Sequence, residues 1–89
     1  HQRMTLNLIV PVGEVSFVFH LTNQKNSFRT ENIGEERYVR LTVPPGIWHA
    51  FKGHNHDLNL VLDVANIIHQ PDEIIRVNID DIHFEWESL

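Results

Sequence analysis

Cysteine is absent from the 89 residues, so disulfides and thiolate chemistry are excluded and the redox compartment leaves no trace. Basic residues are few: seven Lys and Arg stand against twelve Asp and Glu, for a net charge of -5 with His neutral. That balance, with no basic run anywhere, argues against nucleic acid or an anionic membrane surface as a partner. A phosphorylated ligand is still compatible, because a few placed Arg residues suffice to hold one. No apolar run approaches the ~20 residues that span a bilayer. No signal-peptide pattern opens the chain, which points to the cytoplasm. The first residue is His1 rather than Met. This reads as a fragment, with strands before His1 expected to lie outside it. The length allows one domain with a modest core, a situation in which oligomerisation often adds buried surface.

What is present alternates with period two rather than 3.6. Met4, Leu6, Leu8 and Val10 alternate with Thr5, Asn7 and Ile9, and this strand stops at Pro11-Val12-Gly13. Val15, Phe17, Phe19 and Leu21 alternate with Ser16, Val18 and His20 in a second strand. The short link between them fits a tight turn joining antiparallel neighbours. The polar stretch 22–35 reads as an exposed loop. Further strands are expected over 37–43, 47–51, 58–65, 74–79 and 82–86, separated by Pro, Gly and Asn clusters. No segment carries a helix pattern of ten residues. Six or seven short strands predict an all-β sandwich or small barrel.

The sharpest chemical signal is Val43-Pro44-Pro45-Gly46-Ile47-Trp48-His49-Ala50-Phe51. Pro and Gly make a hard turn, and alternation then puts His49 on the same face as Ile47 and Phe51. A His on an apolar inward face is partly desolvated, which suits a general base or a metal ligand and equally a satisfied core His. Asp63 lies within the apolar run 58–65, where it is either an outward carboxylate or a proton-transfer group. Arg29, Arg37 and Arg40 are candidates for contact with a diphosphate, set against a solvated face. His54 and His56 flank Asn55 in a turn and read as solvated. His69 and His83 read as outward-facing, and His20 faces away from the apolar side of its strand.

Pro44, Gly46 and His49 match the Pro-x-Gly-x-x-His core of the second cupin motif. Val43 through Phe51 matches the fuller string of the dTDP-4-dehydrorhamnose 3,5-epimerase branch almost position for position. Val12-Gly13-Glu14-Val15, Glu36, Leu41, Pro71 and the closing Ile82-His83-Phe84-Glu85-Trp86 fit the same pattern in the same order. From Leu6 to Trp86 the chain therefore resembles that nucleotide-sugar epimerase family. The resemblance implies a single cupin domain over 1–89, a small jelly-roll-like barrel or double-stranded β-helix of antiparallel strands. It implies proton abstraction beside the ketone of a dTDP-linked 4-keto-6-deoxy sugar, with no metal or other cofactor. It also implies a homodimer paired through an edge strand or a sheet face.

Carried over by position, His49 takes the place of the family's second site His, and His1 with Gln2 resembles its early His string. The family's Lys position falls on Leu6 and its Tyr position near Leu62 or Asp63, and Tyr38 lies elsewhere. Leu6 also occupies the place where metal-binding cupins carry a Glu, so no metal is expected. The expected catalytic set is thus His49, His1 and Asp63, with Arg29 and Arg40 binding substrate. A 3,4-ketoisomerase of the same group and a non-catalytic sugar-binding cupin are the alternative readings.

Overall fold

The computed structural model describes residues 1–20, 27–68 and 70–76. Among these described residues, six strands form two three-stranded antiparallel sheets. The first has the order β4-β1-β6, from Leu41–Val43, Leu6–Val12 and Leu60–Asp63. The second has the order β3-β2-β5, from Phe28–Gly34, Glu14–His20 and Trp48–Gly53. A 3-10 turn, Pro71–Glu73, follows β6. The all-β class expected from the two-residue period is present, and no helix among the described residues is long and apolar enough to cross a membrane.

The alternating apolar residues supply the core. Leu6, Leu8 and Val10 of β1 meet Val15, Phe17 and Phe19 of β2, with Met4, Ile33 and Val43 beside them, all buried. Removing each large apolar side chain from water stabilises the fold by roughly 1.5–3 kcal/mol. The two central strands thus carry most of the hydrophobic driving force, and their neighbours fill in around them.

Several expectations change. β1 and β2 are not hydrogen-bonded neighbours, because each is the centre of its own sheet. The chain crosses from one sheet to the other at Gly13, whose φ of 82° lies in the left-handed region. Glu35 pins this corner: its carboxylate accepts the Gly13 amide at 3.0 Å, and its own amide donates to the Gly13 carbonyl at 3.1 Å. Residues 28–34 form a strand rather than a loop, fully paired along β2 from Glu14↔Gly34 to His20↔Phe28. Its polar residues are accommodated because β3 is an edge strand, and Ile33 alone is sunk in the core. The strand expected over 37–43 shortens to Leu41–Val43, since Arg37 to Arg40 are exposed and pair with nothing across a ladder. Among the described residues no strand belongs to both sheets, so the ladders do not close into a barrel.

Pro11 leaves its mark in β1. The pairing with β6 runs Leu8↔Asp63 and Ile9↔Leu62, then slips to Val12↔Leu60. Pro has no N–H to donate, so the ladder breaks at this point and a bulge absorbs the extra residue. Residues 74–76 lie outside any strand. The rest of the strand expected over 74–79, the one expected over 82–86, and His69 and His83 fall outside the described residues.

The corner makes a testable demand. A Cβ on Gly13 would overlap the Asn59 side-chain oxygen and stand 2.6 Å from the Leu58 carbonyl, on a backbone already at positive φ. Gly13→Ala is expected to lower stability by about 1–3 kcal/mol, read as an earlier midpoint in urea unfolding.

Candidate active site

The Pro44-Pro45-Gly46 turn delivers His49. Gly46 has a φ of 82°, and its amide donates to the His1 carbonyl at 2.8 Å, docking the turn against the first residue. His49 then enters β5 opposite Phe19, on the inward face that also carries Phe17 and Phe51. The His1 ring stacks on the His49 ring, with centroids 6.4 Å apart and planes 14° apart. The Phe19 ring is also 6.4 Å from the His49 ring, tilted to it by 38°.

His49 is half-buried, and its pKa lies below the usual 6.5 for histidine. Burial is the largest cause, since the charged ring loses solvation, and the positive charge at the amino terminus acts in the same direction. The Ile47 backbone carbonyl and the Asp63 carboxylate oppose them without prevailing. His49 is therefore neutral at physiological pH and able to accept a proton.

Asp63 reaches this neighbourhood from the facing sheet. It pairs with inward-facing Leu8, accepts the Asn7 amide at 3.3 Å, and stands near enough for its charge to act on His49. Asp63 is exposed rather than buried in its apolar strand, so it carries no burial penalty. His1, His49 and Asp63 are thus brought to one end of the sandwich.

Arg29 sits on the same inward face. It pairs with Phe19 from the β3 side as His49 does from the β5 side, which gives a row Arg29–Phe19–His49 across the sheet. Its guanidinium is engaged by Glu31 at 2.9 and 3.2 Å, and Arg37 holds the other Glu31 oxygen at 2.7 Å. Hydrogen bonds from Arg37 and then Arg29 hold the Glu31 carboxyl below its usual range against the opposing effect of burial. Arg40 is exposed just before β4, and no described interaction joins it to the two histidines or Asp63. Tyr38, the single phenol of the sequence, is likewise exposed and apart from them.

One site residue gave no sign in the sequence. Glu73, in the Pro-Asp-Glu segment read as a chain break, is fully buried. One carboxylate oxygen accepts the Arg3 and Met4 amides at 2.6 and 2.7 Å, and the other accepts the His1 Nδ1–H at 2.5 Å. Burial pushes this carboxyl up. The amides of Arg3, Met4 and Gln2 and the positive amino terminus together outweigh burial, and the group lies below its ordinary range. Glu73 thus fixes the first four residues and, through His1, the ring stacked on His49.

A second polar cluster lies at the opposite end. Ser16 is fully buried and donates to Asn32 Oδ1 at 2.5 Å. Its only proton is then used, so the contact of 2.5 Å from His54 Nε2 is an N–H donated to the hydroxyl oxygen. His54 is exposed, as expected of a turn, but it is tied down by this bond. A cleft of about 650 Å³ opens beside it between Gly13, Glu35, Arg37 and Asn55, away from His1, His49 and Asp63. Among the described residues, no group of three or more His, Asp or Glu is arranged to hold a metal ion. No family model, curated protein or solved structure matches the chain.

Proposed function

We propose that the His49 end of the sandwich is an acid–base site that enolises a keto sugar carried on a nucleotide, as in the dTDP-4-dehydrorhamnose 3,5-epimerase-like cupins. The single observation behind this reading is the convergence of a neutral, half-buried His49 with His1 and Asp63 from three separate parts of the chain. In this mechanism His49 takes the proton from the carbon beside the ketone, and the electron pair moves onto the carbonyl oxygen. Asp63, on the facing sheet, passes a proton taken from solvent to that carbon, and His49 gives the proton it took to solvent. Arg29, on the same face two strands from His49, attracts the diphosphate once Glu31 releases part of its hold. The two facing sheets are, on this reading, the cupin fold.

A second reading has its own support. The one Tyr of the chain stands in an exposed loop, and Arg29 is already paired. A sugar-binding protein without turnover needs neither a phenol nor a free guanidinium.

Incubation with dTDP-4-keto-6-deoxyglucose in deuterated water, followed by proton NMR, separates these readings. Enolisation predicts loss of the C3 and C5 proton signals. Loss at C3 alone indicates a 3-epimerase or a 3,4-ketoisomerase. Binding without any loss of signal supports the non-catalytic protein and removes the enzyme reading for this substrate.

A further inference from the structure

The cleft beside His54 takes no part in the chemistry proposed for His49. It crosses one end of the second sheet. Glu14 of β2 stands in the middle, Glu35, Glu36 and Arg37 follow β3 on one side, and His54 and Asn55 follow β5 on the other. Its volume of about 650 Å³ falls within the range of pockets that hold small molecules.

Three carboxylates in the lining face one guanidinium. That guanidinium is already committed: Arg37 Nη1 donates to Glu31 Oε2 at 2.7 Å and to the Asn32 carbonyl at 3.0 Å. The carboxylates are not. Glu35 uses one oxygen on the Gly13 amide and leaves the other open. The side chains of Glu14 and Glu36 have no partner among the described residues. His54 adds a neutral acceptor. Its Nε2–H is donated to Ser16, so in the neutral ring Nδ1 carries a lone pair and no proton. Ser16 fixes this arrangement. It is fully buried between the apolar Val15 and Phe17, and its hydroxyl bonds to Asn32 and His54, two side chains of the cleft wall. A hydroxyl in such a place is costly unless bonded, so the network holds both wall side chains in one orientation.

We propose that this cleft binds a small aliphatic diamine. One ammonium is held by Glu36 and the open oxygen of Glu35, and the other by Glu14 and His54 Nδ1. The charge of the lining disfavours an anion. A bare metal ion does not suit it either, because among the described residues no three His, Asp or Glu side chains are arranged to hold one. Negative charge spread across a cleft of this width matches a ligand with two separated positive groups. The inference stands whether or not His49 is an acid–base group.

Isothermal titration calorimetry with 1,4-diaminobutane tests it. One molecule should bind per chain, more tightly than 1-aminobutane, and added salt should weaken the binding. Glu36→Gln breaks no described bond of the fold and should weaken the diamine roughly 3- to 10-fold. His54→Ala should also weaken it. His56→Ala, in the same turn but outside the lining of the cleft, should not. If circular dichroism shows that His54→Ala has lost its fold, Glu36→Gln decides the matter alone. Absence of binding would overturn the proposal, as would equal affinity for the two amines. Unchanged affinity in Glu36→Gln, or equal losses in His54→Ala and His56→Ala, would also overturn it and reduce the binding to the general attraction of a chain of net charge -5 for cations.

Discussion

Glu73→Ala should melt roughly 10 °C or more below the unmodified protein. The change leaves the Arg3 and Met4 amides and the His1 ring without their acceptor. A buried donor that loses its partner carries the full desolvation penalty, which exceeds the net worth of the bond when both partners are present. The loss also reaches the site, because His1 is held against His49 through this carboxylate. Differential scanning calorimetry reads the stability, and the pH dependence checks the cause. A carboxyl held below its ordinary range in the fold binds its proton first in the unfolded chain. Its contribution is therefore complete above the ordinary carboxyl pKa of about 4.3 and is lost as the pH falls through the folded-state value. Glu73→Gln should accordingly melt earlier at neutral pH and show a flatter fall toward acid. An unchanged acid limb in that variant would mean that the bonds do not depend on the charge.

His49→Ala should slow proton exchange from the keto sugar by about 10²–10⁴-fold, the contribution typical of a general base, with the circular dichroism spectrum retained. Here too the sign of the pKa shift gives a second readout. The fold holds His49 below the ordinary 6.5, chiefly by burial, so the neutral base persists as the pH falls through that value. The rate should hold through pH 6.5 and decline only further toward acid. Stability follows the same direction: the unfolded chain takes up the proton first, so the contribution of His49 is complete above about 6.5 and fades as the pH falls through the folded value. Full exchange in the alanine variant would remove His49 from the chemistry and leave it as a packed residue beside Phe19.

The parts of this fold legible in the sequence are those where burial and period agree. Leu6, Leu8 and Val10 alternate cleanly because β1 is central in its sheet with one face against the core, whereas β2 buries Ser16 and Val18 as well as Val15, Phe17 and Phe19. β3 hid itself because an edge strand needs little apolar character. On its inward face Arg29 and Glu31 stand beside Phe19 and Phe17, and the ion pairs they form keep those positions polar. The corner at Gly13 was visible as a turn, but a turn signal does not say which strand the chain will pair with next. His49 was readable because Pro44, Gly46 and the strand period converge on it. Glu73 was not, because its partners are mostly backbone amides, which every residue but proline possesses.

The way β1 is flanked bears on how the chain acquires its shape. Leu8 finds Leu41 on one side and Asp63 on the other, although β2 follows it immediately in sequence. During synthesis β1 must therefore wait for β4, with Leu41 33 residues after Leu8 (41 − 8), for its first partner, and for β6, with Asp63 55 residues after Leu8 (63 − 8), for its second. Topologies dominated by such distant pairings fold in milliseconds to seconds rather than microseconds. In that interval Leu6, Leu8 and Val10 are open to the solvent and to neighbouring chains, so the nascent protein is most exposed to aggregation at its own future core.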